Sequence, residues 1–597
     1  MLTTITKKGH FSHLQRYLLA CMIAALAFVV AGCVQTPLQP EADVPETSVD
    51  ESSEAQSVAE AEEEPRFPDV ELTSELIYDL MLAEIARQNE HPDIATEALS
   101  RAAFATRDPR VVARATASAL RAGDFPQALD MARLWVTIEP ESNAANDSLA
   151  QILVALDRSD EARELFVQMI RKAEPDVASA YRRIAEMMAR QKQTEGLLPV
   201  MDELIGLHPD VAEAHFAKAL LANRLRKLDI VDQSLDEALR LRPDWEDAAL
   251  AKVSNLASEN ENNQVRNFSE QFLSDNSAAN VFRMNYARWL LDQDEVSPAL
   301  VQFTEVVERE PDNADALYAA GLLSIEEEDY RAATRFLERH LEQRPQHDQT
   351  RLYLGQVARE REQYEKAESW LKKVSSDEHY FDAQVRIGGV VAASGDVDGA
   401  LDHLQNISWI NEEQQVRLIL AREEVLREAK RLPDAKNVLD DALEQLPENT
   451  DLLYARGLVA AQLKLVDVHE RDLRKLIEQD PENAHAYNAL GYTLADLTDR
   501  HQEAFDLITK ALELRPDDPF IMDSMGWVQY RLGNHELAID YLERAFALRE
   551  DAEIAAHLGE LFWVSGERRR AETVWKKGLK SAPDNEVLLG TIRKLKQ

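Results

Sequence analysis

Cysteine is nearly missing from this 597-residue sequence: only Cys21 and Cys33 occur, so no disulfide framework can hold the fold. Glycine (19) and proline (22) are scarce, and neither alternating apolar–polar runs nor Asn-Gly hairpins stand out, which removes the strand signals. Basic charge is short as well. Sixty-seven Lys and Arg face 108 Asp and Glu, a formal net charge of −41, which excludes the basic footprint of a nucleic-acid binder and disfavours adhesion to anionic lipid head groups. Chemistry is equally thin. There is no phosphate-binding Walker loop, glycine-rich dinucleotide loop or Gly-x-Ser-x-Gly elbow. His469-Glu470 and His535-Glu536 lack a second histidine four positions on, so neither makes a zinc helix. Asp396-Val397-Asp398-Gly399 lacks the ligand series of a calcium loop and reads as a plain turn. The sequence thus offers no catalytic residues, metal ligands or cofactor site.

What is present divides in three. Lys7, Lys8 and Arg16 precede an uncharged apolar run from Tyr17 to Val30, which ends in Val30-Ala31-Gly32-Cys33. Fourteen residues are short for a bilayer span and suit the core of a secretion signal. Small residues before a cysteine resemble the lipobox of bacterial lipoproteins. That resemblance implies a signal peptide over 1–32, cleavage before Cys33 and lipid attachment to its thiol. Val34 rather than Asp after the cysteine implies, by resemblance to lipoprotein sorting in Gram-negative cells, the outer membrane with the chain on its periplasmic face. Residues 34–65 hold ten acids and no Lys or Arg, and 33–68 reads as a disordered acidic tether. Without its first three bases the chain carries −44.

Residues 69–583 follow a ruler. Prolines at 140, 175, 209, 243, 311, 345, 447, 481, 516 and 583 are separated by near multiples of 34. Ten residues after five of them stand Gly321, Gly355, Gly457, Gly491 and Gly526, and after three more stand Ala150, Ala185 and Ala219. Alanine recurs twelve residues later, as at Ala333, Ala367 and Ala538, and Gly559 to Ala571 repeats the spacing. Small residues at these places let two helices approach closely. Leu317, Ala320, Gly321 and Ser324 share one helical stripe. Proline closes each unit, and Asp312 or Asn313 caps the next helix. The prolines drop out at Ser277, His379 and Glu413, and 70–108 reads as one more pair, with Pro92 opening its second helix.

This pattern resembles the tetratricopeptide repeat. The resemblance implies an all-α, right-handed superhelical solenoid of about fifteen helix pairs over 69–583, with 584–597 as a polar capping helix. It also implies a protein-binding groove lined by first helices. In the last three repeats the groove positions are Asn488 and Tyr492; Asp523, Trp527 and Tyr530; and Glu560 and Trp563. Aromatics mixed with carboxylates suit a protein partner, and equally suit packing between neighbouring repeats. Nine bases between 567 and 597 (Arg568, Arg569, Arg570, Lys576, Lys577, Lys580, Arg593, Lys594, Lys596) outnumber four acids, and a weaker stripe holds Arg101, Arg107, Arg110, Arg114 and Arg121. Each is either a charge-guided contact or a solvated face.

The C-terminal third carries a narrower likeness. Asn488-Ala489-Leu490-Gly491-Tyr492-Thr493-Leu494-Ala495-Asp496, Pro516-Asp517-Asp518-Pro519, Asp523-Ser524-Met525-Gly526-Trp527 and Ala555-Ala556-His557-Leu558-Gly559-Glu560, with the lipobox, resemble the outer-membrane lipoprotein adaptors of the LbcA type. The resemblance implies a noncatalytic scaffold. It would bind a periplasmic serine protease of the carboxyl-terminal processing type and promote degradation of that protease's peptidoglycan hydrolase substrates. A scaffold for an envelope secretion or polysaccharide export machine would use the same fold.

Overall fold

The computed structural model describes residues 68–189 and 196–596. The readings on the signal peptide, on Cys33 and on the tether through 67 lie outside the described residues. Among those described are 31 α-helices and no strand. Taken two at a time they make fifteen pairs and a final helix, Glu586–Lys596. None is long and apolar enough to cross a membrane. The described residues divide into two compact units, one ending at Arg309 and one starting at Glu310.

A repeating set of local devices makes these helices. The short polar residue before a first helix closes its first turn: Asn313, Asn449, Asn483 and Asn585 accept from the amides of Ala316 (3.0 Å), Leu452 (3.1 Å), Ala486 (3.0 Å) and Leu588 (2.8 Å). Each satisfies a backbone donor that the helix itself cannot. His347, in a unit without Asp or Asn at this place, does the same for Thr350 through its ring nitrogen. Pro92 stands in the first turn of Pro92–Thr106, where a missing N–H costs nothing.

In most pairs the chain turns between the two helices through one residue of left-handed conformation. Arg226, Asn260, Asp294, Glu328 and Glu362 follow at intervals of 34, with φ of 55°, 59°, 62°, 59° and 55°. Gly395, Lys430, Lys464, Gly533 and Gly566 continue the series. Most of these are not glycine, so composition does not mark the bend.

The helices of a pair then close on the small residues. A Cβ on Gly526 would lie 2.6 Å from Leu542 Cγ and 3.1 Å from the Ala538 carbonyl oxygen, and one on Gly491 would lie 2.6 Å from Ile508 Cγ1. Gly321, Gly355, Gly388, Gly457 and Gly559 face Leu337, Leu371, Leu404, Leu473 and Trp575 in the same way. Gly388 belongs to this set although no proline announces it. Ala333, Ala367, Ala538 and Ala571 are buried opposite.

Where prolines drop out, the pairs change shape. Pro311, Pro447 and Pro481 each stand three residues before a first helix. With His379 and Glu413 at that place, the helices start earlier and run to 17 residues, Asp377–Ala393 and Glu412–Glu428. The neighbouring second helices shrink to eight and nine residues, Tyr364–Leu371 and Val397–Gln405. Proline holds the residue before it out of helical geometry, and without it the helix takes over the linker. At Ser277 the ordinary start survives, at Asn280.

In the unit ending at Arg309 an apolar core includes Phe166, Tyr181, Ile184 and Met201, all fully buried. Tyr181 donates its hydroxyl to the Leu204 carbonyl at 2.6 Å. In the other unit a continuous apolar seam runs from Leu473 to Leu588, and the candidate surface is built on it.

Candidate protein-binding surface

Three first helices, Ala484–Leu497, Pro519–Arg531 and Ala552–Val564, lie in successive pairs of this seam. Each carries its glycine at the same height, and the residue after it is Tyr492, Trp527 or Glu560. The three helices converge on His557. Its Nδ1 sits 2.9 and 3.0 Å from the two carboxylate oxygens of Asp523. The carboxylate accepts, so Nδ1 donates, and Nε2 lies 3.4 Å from the Tyr492 hydroxyl. The Trp527 indole stacks on the imidazole with ring centres 4.5 Å apart. Burial, with the carboxylates of Asp496, Asp523 and Glu560 nearby, pushes the Tyr492 hydroxyl well above its usual range.

Asp523 is fully buried and Trp527 is only 8% exposed, so these two serve the contact between repeats and are closed to a partner. Asn488 is half-buried, with its carbonyl oxygen enclosed. Tyr492, Tyr530, Glu560 and Trp563 are likewise partly buried. Tyr530 meets the rings of Trp527 and His535, each at 5.4 Å. Burial and the Glu560 carboxylate raise its ionisation, against the pull of Lys594. Glu560 is 3.5 Å from the Lys594 ammonium. Trp563 lies 5.5 Å from Trp575, with the Arg568 guanidinium 4.9 Å from its ring centre and Lys596 5.9 Å away. The result is a rigid interior joined to a half-open edge of aromatic, acidic and basic groups.

His557 had no role in the sequence reading. Its signal was a polar residue inside an apolar first helix, one repeat after an acid on the same face. The final helix also takes part, through Lys594 and Lys596. Much of the C-terminal basic charge is spent on neighbours: Arg570 pairs with Glu567 and Glu543, Lys577 with Glu550, and Lys596 with Glu572. No group of three or more His, Cys, Asp or Glu placed to hold a metal occurs among the described residues.

Two segments match models of the tetratricopeptide repeat, 324–387 and 482–551. The chain is 38% identical over 213 residues to the TPR repeat-containing protein PA4667 of Pseudomonas aeruginosa, covering 36% of each protein. It thus spans about a third of that relative's length. It is 29% identical over 130 residues to the rat mitochondrial import receptor subunit TOM70, covering 21% of this chain and 20% of that one. Solved structures that it resembles include TTC0263, a TPR protein of Thermus thermophilus (24% identity, 30% of this chain and 96% of that one, TM-score 0.28). The Cut9–Hcn1 assembly is another (16%, 84% and 96%, TM-score 0.28). Both repeat matches fall on helix pairs with the glycine and alanine packing described above, and the chain carries tetratricopeptide repeats over these segments.

Proposed function

We propose that this chain is a noncatalytic adaptor, held by lipid on Cys33 at the periplasmic face of the outer membrane. It would bind a serine protease of the carboxyl-terminal processing type together with the peptidoglycan hydrolases that the protease degrades. Tetratricopeptide repeats are protein-binding scaffolds. The observation that carries the reading here is the half-open edge of Tyr530, Glu560 and Trp563, set on an interior locked by Asp523 and His557. Rigid aromatic anchors rimmed by charge are what a protein partner needs. The protease and the membrane enter from the resemblance of residues 488–496, 516–519, 523–527 and 555–560 to LbcA-type adaptors and from Val30-Ala31-Gly32-Cys33. Holding protease and substrate on one scaffold raises their concentration relative to each other.

Affinity capture from solubilised membranes tests this. The chain is expected to retain a PDZ-containing serine protease, and the Tyr530→Ala/Trp563→Ala variant to lose it while keeping its helical signal. Recovery of only secretion or polysaccharide-export subunits would favour an assembly scaffold instead and overturn the adaptor reading. Labelled palmitate should enter the chain and fail to enter Cys33→Ser. The purified chain alone should cleave neither protein nor peptidoglycan.

A further inference from the structure

On this acidic molecule one cavity keeps unspent positive charge. It lies among the first helices of the chain, Ser74–Gln88, Pro92–Thr106 and Pro109–Ala122, with a volume of about 390 Å³. That is within the range of ligand pockets, about 300–1,000 Å³. Three arginines line it, Arg87, Arg114 and Arg121, with a single acid, Glu84. Leu99 and three alanines make the apolar part of the wall.

The charges do not balance. Glu84 is held by Arg87 and, at 3.4 Å, by Arg114. Arg121 pairs with no carboxylate among the described residues. Three cations sharing one anion leave the pocket at +2, on a chain whose formal charge is −41. Guanidinium groups present paired donors that match a carboxylate's two oxygens, so the pocket suits a peptide carrying more than one acidic side chain. The apolar wall can take the methylenes of glutamate or small side chains between the acids.

The densest acid of the sequence lies next door. Asp50–Glu64 reads DESSEAQSVAEAEEE, seven acids and no base. Glu64 stands ten residues before Ser74, where the first helix begins. Ten residues reach about 33 Å when extended, and the fifteen-residue helix is only about 22 Å long. The acids can therefore reach any of the three arginines. A segment tied this closely acts at an effective concentration of roughly millimolar.

We infer that this arginine pocket binds acidic peptide, and that Asp50–Glu64 of the same chain is its resident ligand. The segment acts as a built-in competitor. An acidic stretch of another protein gains the pocket only by displacing it, so occupancy is set by a partner's acidity and local concentration. This inference stands apart from the identity of any protease and from the C-terminal surface.

A labelled synthetic peptide of residues 50–64 tests it, titrated at low salt into two full-length chains. One is native. In the other the seven acids of 50–64 are replaced by the matching amides. The amide chain is expected to bind the peptide at least tenfold more tightly than the native one. Arg114→Gln with Arg121→Gln, added to the amide chain, should abolish that gain while the circular dichroism spectrum stays unchanged. Both arginines are exposed, so the fold tolerates the changes. Equal affinity of native and amide chains would overturn the resident-ligand claim. Binding indifferent to the two arginines, or displaced by inorganic phosphate as readily as by unlabelled peptide, would overturn the peptide site.

Discussion

At Glu362 the backbone takes φ of 55°, a conformation that crowds any Cβ and costs a residue other than glycine about 1 kcal/mol. Glu362→Gly should therefore raise the urea midpoint of the unit from Glu310 onward. The net gain should stay below about 1 kcal/mol, because glycine also loosens the unfolded chain. A lower midpoint would show that the glutamate side chain stabilises the bend. A second residue-scale consequence concerns His340, 4% exposed. It bonds Thr350 Oγ1 at 2.9 Å, and Thr350 also meets His347 at 2.8 Å. Burial, then His347 and Arg344, push the His340 imidazole down to about 4, against about 6.5 in an unfolded chain. Between those values the unfolded chain takes up a proton that the fold refuses. Stability is thus complete above pH 6.5 and falls as pH drops toward 4, by on the order of 3 kcal/mol. Unfolding midpoints at pH 7.5 and 4.5 should differ accordingly, and His340→Gln should flatten the difference. The packing glycines were legible in the sequence because a missing side chain leaves a mark at fixed spacing. The Asp523–His557 pair was not, since its members are one repeat apart and only a known helix face brings them together.

Elements were legible where proline fixed them. The pairs starting at Ala314, Asp348, Thr450, Ala484 and Pro519 begin three residues after a proline, as the ruler requires. Around 364–428 the ruler fails because helix competes with linker and nothing stops it. The short helix Tyr364–Leu371 then needs other support, and Asp348 supplies it. Its carboxylate accepts the amides of Ser375 (3.0 Å) and Ser376 (2.7 Å) and pairs with Arg351. Burial works to raise the carboxyl's pKa, and those amides with Arg351 outweigh it, leaving about 2. Asp348→Ala should cost roughly 1–3 kcal/mol, since two partly buried amides and Arg351 lose a charged acceptor, measured as a fall in the denaturation midpoint. The native chain should lose this contribution only as pH falls from about 4 toward 2. Gly526→Ala is expected to be as harmful, about 1–3 kcal/mol, because the added methyl meets the Ala538 carbonyl as well as Leu542. Unchanged melting of Gly526→Ala would mean the pair can open at no cost.

For the whole molecule, repeats contact mainly their neighbours, and stability is a sum of local and next-door terms. Tryptophans in different repeats should therefore report different denaturant midpoints, and none should match the helical signal as a two-state domain would. Coincident transitions would point to one cooperative body. The final helix buries Leu588 completely, and a Cβ on Gly578 would come within 2.9 Å of it. Deleting residues 584–597 should lower the midpoint reported by Trp575 while sparing the unit that ends at Arg309. At this scale the sequence told the number of helix pairs, because period and length together count them. Charge excluded classes of partner without selecting one, since most acids face water or a neighbouring base.

The left-handed bends have one more implication. From Arg226 to Glu362 they recur every 34 residues through Arg, Asn, Asp and Glu, and the matched repeat segment 324–387 takes in two of these five bends. The bend is a backbone geometry that side chains of quite different chemistry occupy in this chain. A search by torsion angle would find such bends where a search by residue type passes over them.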